Sequence, residues 1–463
     1  FSDKDCILQS IKEKNRKLNK NWKTNVVAEK LGKKLNNQTV INKASINSRE
    51  IKKNNIFFGI RGKNIDGNKY ANIAIKNGAS VSIIEKNYGK KINNKIKVKN
   101  TLKFFTECAA KIRTSSDIIA IGITGSAGKT SLKEMLGQSL SKICKTTYSK
   151  KSFNNKYGVP ISLFNIDRKD NFGVFEIGMD KKGEINQLSK IVKPNIGVIT
   201  NISYAHSKNF NSLFDIAKAK SEIIDNVIEN GSIVLNADDK FYNYFKLRAQ
   251  NRNLKIISFG RKKKSNIKLS KIKSLKNKSI IKVNINGRLK NFIIKRNLEF
   301  YIENILASIA VISNYLDLEN ISEKIFFNYN LPQGRGDYKY IKIKKKKIHL
   351  IDESYNSNPL SLNFALNNFS KLNSQSKRKI ILLGDMLELG QFSKKLHLEA
   401  AKIVNNTNIN RVYVFGKKII PTFNKIRPQK RGKILYSSKD VSKFLNNDVK
   451  DGEYLMIKGS NST

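Results

Sequence analysis

The chain has 463 residues, and 89 Lys and Arg against 36 Asp and Glu give a formal net charge of +53; that length predicts about three domains, each with a core of its own. The lysines are spread over every segment with Asn and Ile, as in drift of an AT-rich genome, and are not clustered with interleaved aromatics, which argues against nucleic-acid binding as the main role. Three scattered cysteines, Cys6, Cys108 and Cys144, form no CxxC, and no apolar run approaches the ~20 residues of a membrane helix, so a reducing, cytoplasmic setting without an integral membrane segment is expected.

In chain order, residues 1–113 alternate short apolar runs (Ile56–Ile60, Val81–Ile84) with helical patterns such as Tyr70–Asn77. They predict a small α/β domain. Ser48 and Arg49 fall on a loop there. A hydroxyl beside a guanidinium suits a phosphorylated ligand, and equally suits an ordinary surface turn.

Residues 114–330 open on IIAIGITGSAGKTSLKEML, Ile118 to Leu136. This reads as a buried strand, a Gly-rich turn and the start of an amphipathic helix. Small residues let backbone N–H groups approach a polyphosphate, and a helix N-terminus adds a positive dipole end. Gly125, Ser126, Ala127, Gly128, Lys129, Thr130 and Ser131 are therefore candidate nucleotide contacts, with Lys129 at the terminal phosphates and Thr130 on Mg²⁺. The loop departs from the usual G-x-x-x-x-G-K-[ST] pattern, with Ile123 where the first glycine is expected. Downstream, Asn155 sits in FNNKYGVP, and Glu176 ends an apolar strand, where a carboxylate could hold Mg²⁺. His206 lies just past the apolar run Ile196–Ile202, and Lys220 is on the helical stretch FDIAKAKSEIIDNVI. A lone His or Glu is often structural, but these features gather at strand ends behind one phosphate loop, the pattern of a shared metal–nucleotide site.

Residues 255–296 alternate apolar and basic residues with period two, predicting a β-rich insertion with solvated Lys faces and a hairpin turn at Asn286-Gly287. Asn304 follows on a helix with one buried face. In residues 331–463, which carry Arg335 near their start, five apolar strands alternate with helices and predict a doubly wound parallel sheet. Its strand-end loops carry Glu353, Tyr355, Asn356 and Asn358 in DESYNSNP, and Asp385, Glu388 and His397 in GDMLELG and beyond.

Taken together, NSREI, FFGIRGKNIDGNKY, GITGSAGKTSLKEML, FNNKYGVP, FEIGMDKKGEI, NISYAHSKNF, AKAKSEI, LNADD, DESYNSNP, GDMLELG and KGSN resemble the motifs of the Mur ligases of peptidoglycan synthesis along nearly the whole chain. DESYNSNP and GDMLELG point to the D-alanyl-D-alanine-adding branch, and the D-N-P-R motif of the branch adding the third amino acid is absent. The resemblance implies an α/β fold of three domains: a small α/β N-terminal domain that binds the UDP precursor (1–113), a central P-loop-type ATPase domain (114–330) and a C-terminal Rossmann-like doubly wound domain (331–463). It implies ATP and two Mg²⁺ ions as cofactors, with UDP-N-acetylmuramoyl-tripeptide and D-alanyl-D-alanine as partners of a monomer. Lys129, Glu176, His206 and Lys220 would be catalytic, with Thr130, Glu176 and His206 at metal and Lys220 carbamylated. Asn304, Arg335, Glu353 and Tyr355 would meet the nucleotide, and Ser48, Arg49, Asn155, Asn356 and Asn358 the substrates. One departure stands out: Phe300 occupies the place of a family histidine on the adenine side. The charge keeps a nucleic-acid-stimulated P-loop ATPase as a rival, and folylpolyglutamate synthase shares the central motifs; the first domain and DESYNSNP argue against the latter.

Overall fold

The computed structural model describes residues 21–36, 38–88, 94–372 and 377–460; Cys6 and the end of the KGSN motif lie outside them. Four parallel strands, β1 (Lys43–Ser45), β2 (Asn55–Phe58), β3 (Ala79–Ile84) and β4 (Lys95–Lys97), form the first sheet in that order. β2 is buried along its whole length, as a parallel strand covered on both faces must be. Phe58 at its end packs against Phe105 of α1 (Thr101–Thr114), with ring centroids 4.4 Å apart. It also meets Phe164 of the central unit at 5.7 Å. Asn165 adds a polar tie, its Oδ1 accepting from the Ala44 N–H at 2.8 Å.

The central sheet has nine strands in the order β13-β12-β11-β10-β9-β8-β5-β7-β6. They are β5 (Ile119–Thr124), β6 (Thr146–Tyr148), β7 (Phe172–Glu176), β8 (Ile196–Ile199), β9 (Ser232–Asn236), β10 (Lys255–Gly260), β11 (Ile267–Ser274), β12 (Lys278–Ile285) and β13 (Arg288–Lys295). Pairing is parallel from β6 across to β11 and antiparallel through β12 and β13. The lysine-rich stretch is thus no separate module but the far edge of the main sheet. Its period-two pattern holds, with Ile281 and Val283 buried and Lys278 and Lys282 exposed. Asn286 (φ 49°) and Gly287 (φ 93°) form its turn, both left-handed as a tight hairpin requires.

On one face of this sheet α2 (Lys129–Leu140) and a later helix, Ile302–Ile312, pack on Ile119, Ile121 and Ile123. Ile123 is fully buried there, which explains the unusual residue in the phosphate loop: it fills core beneath α2. The opposite face holds α3 (Gly158–Phe164), α4 (Glu184–Val192) and α5 (Leu213–Ser221) in one apolar cluster that runs on into α1 and β2. Domains one and two therefore share a core. Helix α6 spans Ile302–Ile312.

The third sheet runs β14-β15-β19-β16-β17-β18, with β14 (Asp337–Ile343), β15 (Lys346–Glu353), β16 (Lys379–Gly384), β17 (Arg411–Phe415), β18 (Arg431–Leu435) and β19 (Tyr454–Lys458). The five expected strands are parallel neighbours. The sixth, β14, is an antiparallel edge strand that the sequence reading omitted. No Gly or Pro marks its turn, which is made by Lys344 at φ 54°. Helices α7 (Pro359–Lys371) and α8 (Ser393–Asn405) cover one face, around a core separate from the first two domains'.

Truncating Phe105 removes a ring that both Phe58 and Phe164 touch. Phe105→Ala should cost about 3–5 kcal/mol, read as a fall in the urea midpoint for the shared core of the first two domains.

Candidate nucleotide and ligation site

The phosphate loop is built by close backbone approach. Gly125 has φ +143°, and a Cβ there would lie 1.9 Å from the Thr200 Oγ1; Gly128 has φ +82°, and its Cβ would lie 3.0 Å from the Asn304 Oδ1. Both positions need glycine. The loop is clamped from the next strand end: Thr200 Oγ1 donates to the Ala127 carbonyl (2.7 Å), the Ala127 N–H donates to Asn201 Oδ1 (2.9 Å), and Ser126 Oγ donates to the Ser203 carbonyl (2.8 Å). The first intrahelical donor of α2 is the Leu132 N–H, to Gly128. The N–H groups of Lys129, Thr130 and Ser131 thus have no partner within the helix, as at any helix start that receives an anion.

Lys129 folds back over the loop, its Nζ 2.7 Å from the Gly125 carbonyl. Burial lowers its pKa from the ordinary lysine value, with Glu176 opposing and Arg335 adding to the fall. Glu176, only 1% exposed, accepts from Thr130 Oγ1 and from Asn154 Nδ2, each at 2.7 Å. The Ser152 hydroxyl lies 3.3 Å from Thr130 Oγ1. Hydroxyl and carboxylate oxygens are the hard donors that Mg²⁺ prefers, so this cluster fits the ion. Lys220 on α5 is 1% exposed. Its Nζ makes no hydrogen bond or ion pair among the described residues, and burial, with Lys129 nearby, pushes its pKa well below the usual value.

His206 is placed differently from Glu176. Its backbone is left-handed, φ 55°, and its Nδ1 lies 2.5 Å from Glu388 Oε2 and 3.2 Å from Asp180 Oδ1. Bonding to His206 holds the Glu388 carboxyl below its usual pKa. The same loop docks on the third domain: the Lys208 N–H donates to the Glu388 carbonyl (3.0 Å) and Ser207 Oγ to the Leu389 carbonyl (3.2 Å). Tyr204 and Phe392 pack with ring centroids 4.7 Å apart.

Beside the loop, a cavity of about 140 Å³ is lined by Phe300, Asn304, Arg335, Glu353, Tyr355 and Asn356 among others. Asn304 Nδ2 reaches the Gly128 carbonyl at 3.4 Å, and the Arg335 guanidinium lies over the Tyr355 ring, 4.2 Å from its centroid. Burial raises the Glu353 pKa, opposed by Lys458 and Arg335. Lys458, 2% exposed, donates to the Asn356 carbonyl at 2.5 Å and lies 3.6 Å from Glu353 Oε2.

Some expected substrate residues have local jobs. Asn155 Oδ1 accepts from the Tyr157 and Gly158 N–H groups at 3.0 Å, capping α3. Asn358 caps α7 through Ser361 and extends its Nδ2 to the Ser126 carbonyl at 3.4 Å. Ser48 and Arg49 stand past β1 in the first domain, Ser48 buried and Arg49 exposed, and neither bonds to the phosphate loop. Asn154, Asp180, Thr200, Asn201 and Lys458 join the site without a motif that marks them. Their only signal was position at strand ends, shared by many polar residues.

Gly125→Ala should leave the fold intact but cost about tenfold or more in affinity for an ATP analogue, from left-handed strain and the clash with Thr200. A fluorescent-nucleotide titration checks it.

The chain matches three family models in succession: the catalytic domain of the Mur ligase family over residues 40–112, the Mur ligase middle domain over 123–312 and the glutamate ligase domain of Mur ligases over 340–461. It is 31% identical to a UDP-N-acetylmuramoyl-tripeptide–D-alanyl-D-alanine ligase of Rickettsia prowazekii across 95% of this chain and 97% of the relative. It is 32% identical to the Buchnera aphidicola (subsp. Baizongia pistaciae) ligase of the same name, across 91% and 90%. A crystal structure of MurF from Acinetobacter baumannii superposes with a TM-score of 0.82 at 24% identity, covering 95% and 96% of the two chains. Three family models in succession and relatives above 30% identity over nearly the full length agree, and the chain belongs to the Mur ligase family.

Proposed function

We infer that the protein is an ATP-dependent amide-bond ligase that adds D-alanyl-D-alanine to UDP-N-acetylmuramoyl-tripeptide in peptidoglycan synthesis. The observation that carries this is the meeting at one crevice of the Lys129 loop, the Thr130–Glu176 pair and the third domain's Glu353–Asn358 loop. Relatives bearing that activity in their names match over nearly the full length. A MurF from Thermotoga maritima, of the same fold, was solved in complex with ADP, which supports ATP as the nucleotide.

The chemistry explains the parts. A carboxylate is a poor electrophile. Transfer of the ATP terminal phosphoryl group to the tripeptide carboxylate gives an acyl phosphate and ADP. The dipeptide amine then attacks the acyl carbon, and inorganic phosphate leaves as the amide forms and the amine loses a proton. Catalysis here is mostly positioning and charge neutralisation. Lys129 and the free N–H groups of α2 bind the phosphates. Thr130 and Glu176 would hold Mg²⁺, with His206 at a second ion; such ions would supply charge neutralisation between phosphate and carboxylate. Lys220, whose pKa burial lowers well below the usual lysine value, is suited to carbamylation, since only a neutral amine captures CO₂. Its carbamate would orient phosphate or metal. Arg335, Glu353, Tyr355 and Asn304 surround the nucleoside, while Ser48 and Arg49 serve the uridine end and Asn155, Asn356 and Asn358 the peptide end. No helix among the described residues is long and apolar enough to cross a membrane.

ADP release should require both the UDP-muramoyl tripeptide and the dipeptide, and should not respond to RNA or DNA. Lys129→Ala should lower turnover by about 10²–10³-fold with circular dichroism unchanged; near-normal turnover would sink the reading.

Lys220→Ala should be inactive, unrescued by bicarbonate but partly restored by short carboxylic acids. Lys220 holds its proton less tightly in the fold than in the unfolded chain. Its contribution to stability therefore rises with pH up to the ordinary lysine value of about 10.4 and levels off above it. Lys220→Met should flatten that rise and increase Tm near neutral pH, read by thermal melts across pH.

A further inference from the structure

We propose that Lys133 is a positioning residue of the ligation site: its amine holds the strap 149–154 so that Asn154 and Ser152 set the Thr130–Glu176 pair in the geometry a divalent cation requires. The inference rests on the ligase reading above and gives a role to a buried cation that the chemistry does not otherwise use.

Burial is the first ground. Lys133 lies one turn beyond Lys129 on α2, and its side chain is fully enclosed. A cation sealed from water is costly unless its donors are bonded, and an apolar side chain would fill the same space without that cost. An ammonium has three donors, and all three are taken. Nζ donates to the Ser149 carbonyl at 2.5 Å, to the Lys151 carbonyl at 2.8 Å and to Glu134 Oε1 at 2.5 Å. Such charge-assisted bonds are short and strong, and fix the atoms that accept them.

The strap depends on that amine. It leaves β6 after one last bond to β7, from the Ser149 N–H to the Val174 carbonyl at 3.0 Å, and runs to α3 as irregular backbone. No donor but Lys133 reaches the Ser149 or Lys151 carbonyl among the described residues. Lys151 is left-handed at φ 48°, a conformation a lysine keeps only where its neighbours hold it. The strand end before the strap lies directly on α2: a Cβ on Gly137 would come within 2.5 Å of the Tyr148 ring.

What the strap delivers is the last ground. Asn154 Nδ2 donates to Glu176 Oε1 at 2.7 Å, and the Ser152 hydroxyl lies 3.3 Å from Thr130 Oγ1. Asn154 has little room to adjust, because its carbonyl accepts from the Gly178 N–H at 2.8 Å and a Cβ on Gly178 would meet its side-chain Cγ at 2.9 Å. Thr130 and Lys133 share one face of α2. A single helical turn therefore carries one partner of Glu176 and anchors the segment that carries the other. Mg²⁺ demands near-ideal octahedral geometry, and the partners behind its ligands set their orientation. Releasing the strap lets the Glu176 carboxylate turn away from Thr130.

Titration of the full chain with a fluorescent ADP analogue, in Mg²⁺ and in EDTA, tests this with Lys133→Met. Affinity in EDTA should match wild type, while the gain that Mg²⁺ confers should fall about tenfold or more, as for loss of a partner behind a metal ligand. Asn154→Ala should show the same loss, and the double variant should be no worse than either single one, since both act through one contact. Lys133→Gln, whose shorter amide keeps one carbonyl bonded, should lie between, and carries the same test should the methionine variant not fold. A Mg²⁺ gain unchanged from wild type overturns the proposal. Equal weakening in Mg²⁺ and EDTA, or losses that add in the double variant, also overturns it, as marks of a merely structural clamp. The titration needs no turnover, so a wild-type chain that makes no amide product overturns the ligase reading separately.

Discussion

A carboxylate sealed from water at the root of the phosphate loop sets the terms for the rest of the molecule. Glu176 is 1% exposed, and a buried anion persists only when its oxygens are bonded and its charge is balanced. One oxygen is taken by Thr130 at the start of α2, the other by Asn154 from the segment after β6, and Lys129 supplies the opposing charge. Those partners fix where α2 begins. The start of α2 in turn fixes Gly128, against which Asn304 of α6 is set. The loop, two helices and the far wall of the nucleotide cavity are thus positioned from one acid.

Much of the fold was legible because burial imposes period and composition. The apolar runs of β5, β7 and β8 lie between helices on both faces and read as continuous hydrophobic stretches, while the alternation of β12 betrayed its solvated side. β14 escaped because exposed tyrosines and lysines (Tyr338, Lys339, Tyr340, Lys342) blur its two faces, and its turn carries a left-handed Lys344 where glycine or asparagine would have signalled a hairpin.

The site was legible in its chemistry and less so in its geometry. Lys129, Thr130 and Glu176 do gather. His206 lies against Asp180 and Glu388, not Glu176, because the loop that carries it leaves the phosphate loop at Ser203 and crosses to the third domain. No spacing rule reports such a turn. Asn155 and Asn358 show a related ambiguity: an asparagine before a helix is as good a cap as a ligand, and both are caps here, although Asn358 also reaches Ser126.

The apolar cluster that passes unbroken from α1 and β2 into α3, α4 and α5 divides the chain unequally. Moving the first domain relative to the second would expose aromatic surface at Phe58, Phe105 and Phe164. The third domain instead meets its neighbours mainly through polar contacts and the Tyr204–Phe392 ring pair, and it is reached through a connection in which Gly334 and Gly336 are left-handed. Its release from the crevice exposes little apolar surface. Opening therefore falls to one joint, and the first domain moves with the second as a single body.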